Sequence, residues 1–165
     1  MNLYLIRHAK PVQNGNDPSL STTGQSQAAK LGSMFVRLGI TPDTTSILSS
    51  NKKRAERTAN IILKSLCLAQ NLPPTAARPI RQLSSTVSLT SVFNTMRTVV
   101  ADEHPMHLFV VWHFPMIGEV FKQLTNSNLP WPDAYGATAH LTISGQSVEN
   151  GSGTFQWLVV PELLP

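Results

Sequence analysis

The sequence predicts an α/β fold, a three-layer sandwich whose mostly parallel central sheet is flanked by helices, with an antiparallel strand near the C-terminal end. Three observations predict it. Strand-like and helix-like segments alternate along most of the chain, the order that builds a parallel sheet covered on both faces. The stretch HLFVVW (residues 107–112) is a continuous apolar run without alternation, as in a strand buried on both sides. The tail differs: AYGATAHLTIS and GTFQWLVV flank the Gly- and Asn-containing GQSVENGSG, the pattern of a closing hairpin.

The elements follow in order. Residues 2–6, NLYLI, are short, apolar and rich in strand formers. In STTGQSQAAKLGSMFVRLGI, the residues Ala28, Leu31, Phe35 and Leu38 recur at helical spacing, which predicts a helix over about 24–38. TSILSS reads as a second strand. KKRAERTANIILKSLCLAQ is the clearest helix, with Ala55, Thr58, Ala59, Ile62, Leu63 and Leu66 on one side. NLPPTAARPIRQL is a proline-rich loop with room for one short strand, and residues 88–101 give a further helix despite their β-branched residues. After HLFVVW, the segment PMIGEVFKQL starts with proline in its first turn, a favoured helix opening. No repeat, low-complexity tract or linker interrupts the chain, so residues 1–165 are read as a single domain.

Composition narrows the function. Only 13% of residues are charged against 41% hydrophobic, which argues for a packed fold and against a disordered one. The net charge of +4 favours anionic ligands such as phosphates, yet no basic stripe marks a nucleic-acid surface. A single cysteine, Cys67, excludes an intrachain disulfide and a cysteine-rich metal site, and suits a reducing compartment. The chain opens straight into a strand, with no signal-like start and no run long enough to span a bilayer. A cytoplasmic protein is expected, with no membrane partner.

In open α/β sheets ligands bind at the carboxyl ends of the strands. Arg7 and His8 follow the first strand. Ser49 and Ser50 end the second, and Lys52, Lys53, Arg54 and Arg57 then open a helix. His113 follows HLFVVW, just ahead of the helix start at Pro115. Each has an ordinary alternative: a solvated basic patch, or a core histidine whose ring is satisfied. Basic residues opening a helix oppose its dipole, however, a cost that a bound anion removes. Taken jointly, two histidines and several arginines at one sheet edge point to a phosphate site.

The blocks LYLIRHAK, LSTTGQSQAAKLG, ILSSNKKRAERTA and VVWHFPMIG, in this order, resemble the signatures of the histidine phosphatase (phosphoglycerate-mutase-like) superfamily. The short length and the GTFQW ending look most like its SixA-type phosphohistidine phosphatase branch. The resemblance runs from Leu3 to about Gly118, with a weaker echo to Trp157. It implies a metal-independent phosphatase in which His8 is the nucleophile, Arg7 and Arg54 bind phosphate, and His113 is the second pocket histidine. Thr23 and Ser50 match positions that flank the site. No cofactor is implied. The substrate would be phosphohistidine in a protein, or else a small phosphorylated molecule.

Three positions depart from the family pattern. Ala9 stands where glycine is commonest. Trp112 stands where a small residue is usual; it reads either as a wall that narrows the pocket or stacks on a flat leaving group, or as a core residue ending a buried strand. Gln82 takes the place where mutase and phosphomonoesterase members carry a glutamate. A glutamine cannot donate a proton to an alkoxide, whereas a phosphoramidate P–N bond has a far better leaving group, which favours phosphohistidine as substrate. The rival of the same fold is a small-molecule phosphomonoesterase with an acid such as Asp17. The rival of another class is a catalytically silent phosphate-binding module with Trp112 across the line of attack. Lys10, Arg78 and Arg81 read as a basic rim for an acidic or phosphorylated protein, or as solvated surface.

Overall fold

Strands with unbroken apolar sequence demand cover on both faces, and the fold supplies it. The computed structural model describes residues 1–73, 81–83, 86–145 and 147–165. Its strands are β1 (Asn2–Arg7), β2 (Thr45–Ser50), β3 (Arg81–Leu83), β4 (His107–Trp112), β5 (Thr138–Ile143) and β6 (Gly153–Val159). They form one six-stranded sheet in the order β3-β2-β4-β1-β5-β6. The first four strands pair in parallel, while β5 runs antiparallel to both β1 and β6. The antiparallel strand expected near the C-terminal end is therefore β5, and it forms the closing hairpin with β6.

Four α-helices cover this sheet among the described residues: α1 (Thr22–Arg37), α2 (Lys53–Ala69), α3 (Leu89–Glu103) and α4 (Met116–Thr125). Side chains alternate across a strand, so β1 and β4 feed two cores. Leu3, Leu5, Leu108, Val110 and Trp112 pack with Val92, Met96, Val120 and Phe121 of α3 and α4. Tyr4, Ile6, Phe109 and Val111 pack with Leu31, Phe35, Ala59 and Ile62 of α1 and α2. Within the second core, Tyr4 meets Phe35 and Phe109 edge-on at ring separations of 5.1 and 4.9 Å. The stripe expected on α2 is buried from Ala55 through Leu66 at every named position.

Helix ends show where periodicity and capping differ. The Ser21 hydroxyl accepts the Gly24 N–H at 3.1 Å, so α1 begins at Thr22, ahead of its first apolar residue. Leu38 keeps the helical spacing but lies past the last turn and is 53% exposed. There the chain leaves through Gly39, whose φ of 74° is the left-handed conformation glycine adopts without strain. Ser88 caps α3 by accepting the Ser91 N–H. Pro115 is the cap of α4 and not a member of its first turn. The proline-rich loop falls at 74–80, outside the described residues, and the short strand it was expected to contain is β3. No described helix is long and apolar enough to cross a membrane.

Phe109 is fully buried and touches both Tyr4 and Phe35. Phe109→Ala should lower the unfolding free energy by about 3–5 kcal/mol in a denaturant titration, through lost burial plus a residual cavity. A loss of less than about 1 kcal/mol would contradict the packing described.

Candidate active site

The strand order fixes the site. Because β4 lies between β1 and β2, the carboxyl ends of three parallel strands come together, and each carries a polar residue. Arg7 is the last residue of β1, in register with Trp112 at the end of β4. The next residue in each strand is a histidine, and the His8 N–H donates to the Trp112 carbonyl at 2.9 Å. His8 and His113 thus end up side by side, ring centroids 5.0 Å apart and edge-on. Ser50, the last residue of β2, lies 2.6 Å from His113 Nε2 through its hydroxyl.

The backbone around His8 is held from three directions. The Ala9 N–H donates to Thr58 Oγ1 of α2 at 3.0 Å, and that hydroxyl donates in turn to the Arg54 carbonyl. The Lys10 N–H donates to Gln27 Oε1 of α1 at 2.9 Å. The Gly136 N–H donates to the His8 carbonyl at 3.2 Å. Gly24 is required by this contact: a Cβ there would stand 2.0 Å from the Lys10 carbonyl oxygen, so only glycine lets α1 approach.

The His8 ring is buried, and its Nδ1 lies 2.8 Å from the Ala9 carbonyl oxygen. A carbonyl only accepts, so Nδ1 carries the proton and Nε2 keeps its lone pair. Arg54 Nε donates to that Nε2 at 3.2 Å. Burial pushes the His8 pKa down to about 4; the Ala9 carbonyl opposes the shift, and the Arg54 and Arg7 charges add to it. His113 is pushed to about 3, by burial first and then by His8, Arg54 and Lys52, with Asp17 opposing. Two neutral imidazoles and two guanidiniums therefore share one corner. Arg7 Nε and His113 Nδ1 are buried there with no hydrogen-bond partner among the described residues.

Carboxylates balance the cations. The Lys53 N–H, at the start of α2, donates to Asp17 Oδ1 at 3.1 Å, and Arg54 Nη1 stands 3.9 Å from the same oxygen. The basic opening of α2 is thus offset by an anion from within the chain. Arg7 Nη1 pairs with Asp133, and its guanidinium lies over Tyr135 at 4.4 Å and Phe114 at 5.4 Å.

Of the residues expected at a site, Arg7, His8, Ser50, Arg54 and His113 come together. Thr23 sits exposed in the first turn of α1, where the glycine next to it makes the close contact. The Lys10 side chain is exposed, and its backbone carries the hydrogen bonds to α1. Trp112 is corrected from rim to core: it is fully buried, facing α3 and α4 as Leu108 and Val110 do, two and four residues before it. It neither narrows the pocket nor blocks it. Gln82 pairs in register with Ser49 through its backbone, while its side chain and all of Arg78 lie outside the described residues. Arg81 pairs with Asp102 and Glu103 at the end of α3 and forms no rim.

The sequence reading missed Asp133, Tyr135 and Phe114. The signal for Asp133 and Tyr135 was the segment PWPDAYG directly before a strand; once β5 is known to pair antiparallel with β1, that segment must reach the carboxyl end of β1, and Phe114 directly follows His113. A cleft of about 550 Å³, lined by Met1, Asn2, Val100, His104 and Met106, opens at the opposite end of β1 and is unrelated to this cluster.

Both site histidines have folded pKa values below the ordinary 6.5. As pH falls, the unfolded chain takes up these protons first, so stability present above about pH 6.5 is lost as pH drops towards about 4 and below. In an NMR titration, the His8 and His113 ring signals should keep their neutral positions from about pH 8 to about pH 5.5. A midpoint near 6.5 for either ring would contradict its burial beside the arginines.

Comparisons with known proteins agree with this fold. The profile of the histidine phosphatase superfamily (branch 1) matches residues 3–84. The protein histidine phosphatase SixA, in its complex with tungstate, aligns with a TM-score of 0.78 at 20% identity, covering 98% of this chain and 97% of that one. The protein assigned as phosphohistidine phosphatase SixA in Agrobacterium tumefaciens aligns at 0.66 and 16% identity, covering 97% of each chain. A phosphoserine phosphatase from Entamoeba histolytica, in complex with 3-phosphoglyceric acid, aligns at 0.60 and 14% identity, covering 95% of each chain. No curated protein sequence matches. At such identities the solved structures speak for the fold, and the profile match spans Arg7, His8 and Arg54: over residues 3–84 the chain is similar to the histidine phosphatase superfamily.

Proposed function

We propose that this phosphate-hydrolysing enzyme acts without a metal, through a phosphoryl group carried on His8, and that it removes phosphate from phosphohistidine in a cytoplasmic signalling protein. The observation that carries the reading is the His8 tautomer. Nδ1 is committed to the Ala9 carbonyl, so Nε2 offers a lone pair towards a space bordered by Arg54, His113 and Arg7. A pKa of about 4 keeps that nitrogen unprotonated at neutral pH, its lone pair holding only the hydrogen bond from Arg54 Nε.

Phosphoryl transfer spreads charge over three equatorial oxygens while attacking and leaving atoms lie in line. Arg7 and Arg54 would hold those oxygens through planar, permanently charged forks, with His113 adding a hydrogen bond. His8 Nε2 would take the phosphoryl group, and water would then attack phosphorus and release His8 unchanged. Nδ1 keeps its proton, donated to the Ala9 carbonyl, throughout. The intermediate is itself a phosphoimidazole, so a phosphohistidine substrate breaks the same kind of bond and needs no separate acid. Asp17 accepts the Lys53 N–H beside Arg54, the part of a hydrogen-bond acceptor, which weighs against its serving as the acid of a phosphomonoesterase.

His8→Ala should abolish turnover and the trapping of ³²P on the protein at neutral quench. Arg54→Ala should reduce kcat by about 10²–10³-fold, the usual cost of one oxyanion donor. With the wild type, a phosphohistidine peptide should be hydrolysed faster than an alkyl phosphate, and chelator should change neither rate. Equal rates on both substrates would overturn the substrate assignment; full turnover by His8→Ala would overturn the mechanism.

A further inference from the structure

The segment between α4 and β5 is an arch over Arg7, rooted at both ends. Trp131 roots one end: it is 7% exposed, lies edge-on to Phe121 at 5.9 Å, and its Cβ would stand only 3.1 Å from a Cβ on Gly118. Gly136 roots the other, with φ of 73° and its N–H on the His8 carbonyl; a Cβ there would meet Pro161 at 2.6 Å. Between the roots, Asp133 pairs with Arg7 Nη1, and the Tyr135 ring lies 4.4 Å from the Arg7 guanidinium and 5.6 Å from the His8 ring. Phe114, 44% exposed, flanks the same guanidinium. The Asp133 side chain is 79% exposed and that of Arg7 only 10%, so the carboxylate stands at the mouth with the guanidinium beneath it.

We infer that Asp133 is a specificity-determining residue: with Tyr135 and Phe114 it selects a flat, positively charged leaving group, the imidazolium of an N-phosphorylated histidine, against phosphate esters that carry a second negative charge. This rests on the phosphohistidine reading and names the residue that enforces it. A phosphohistidine ring can hold a proton on the nitrogen remote from phosphorus, and that form is cationic. A carboxylate one guanidinium's width from the phosphoryl group favours it, and so do aromatic faces beside it. The transfer then balances without an enzyme acid. The His8 Nε2–P bond forms as the substrate N–P bond breaks, and the breaking pair stays on the departing nitrogen. The ring leaves as neutral imidazole with the proton it already held, and its positive charge passes to the His8 ring, whose Nδ1–H faces the Ala9 carbonyl.

The test measures kcat/KM on a phosphohistidine peptide with no other charged side chain, and the inhibition constant of 3-phosphoglycerate as a competitor, for wild type, Asp133→Asn and Asp133→Lys. Removing one unit charge at this range should change each quantity by about five- to tenfold. The expected result is tighter 3-phosphoglycerate binding together with lower kcat/KM on the peptide, with Asp133→Lys moving both further the same way. If both weaken by the same factor, Asp133 merely props up Arg7 and the inference falls; unchanged values also sink it. A wild type inactive on the peptide but active on 3-phosphoglycerate would remove the substrate reading itself, an outcome distinct from the others.

Discussion

The parallel pairing of β1 with β4 is the constraint on which the rest depends. Both strands are apolar at almost every position, so they occupy the centre of a sheet covered on both faces. Their register, Arg7 opposite Trp112, leaves the next two residues, both histidines, adjacent at the sheet edge. Because β4 is inserted between β1 and β2, Ser50 joins them, and the helix that follows β2 delivers Arg54 to the same corner. No loop has to search for the site. A sheet register sets it.

Charge in that corner follows from this placement. Burial first, and neighbouring cationic charge second, hold the two imidazoles neutral, and neutral imidazole is the form with a lone pair to give. Uncompensated cations at the start of a helix are costly, and Asp17 offsets those of α2, while Asp133 pairs with Arg7 at the end of β1, each from a segment remote in sequence. The carboxylates leave both guanidiniums in place with N–H groups to spare, since each fork has five.

The central strands and the α2 stripe were legible in the sequence because burial writes a pattern into it, and the residues that end those strands were legible with them. What was not legible has physical causes. In a strand buried on both faces every position is apolar, so the sequence does not say which face Trp112 takes; the pairing register decides, and sends it to α3 and α4. Leu38 fits the helical period, but a left-handed glycine ends the helix before it counts. Asp133 and Tyr135 reach the site only because β5 turns back alongside β1, a pairing between segments more than a hundred residues apart that no local pattern carries.

The Thr58 hydroxyl, bonded to both the Arg54 carbonyl and the Ala9 N–H, has a consequence for lifetimes. It ties the first turns of α2 to the residue after His8, and Ala9, Ala55 and Thr58 along this tie are all fully buried. Such amides exchange with solvent only when the whole domain opens, whereas exposed backbone between two anchors opens by itself. Asp133 stands in backbone of the second kind, between Trp131 and Gly136. The floor of the pocket therefore shares the lifetime of the fold, and its mouth keeps a shorter clock of its own.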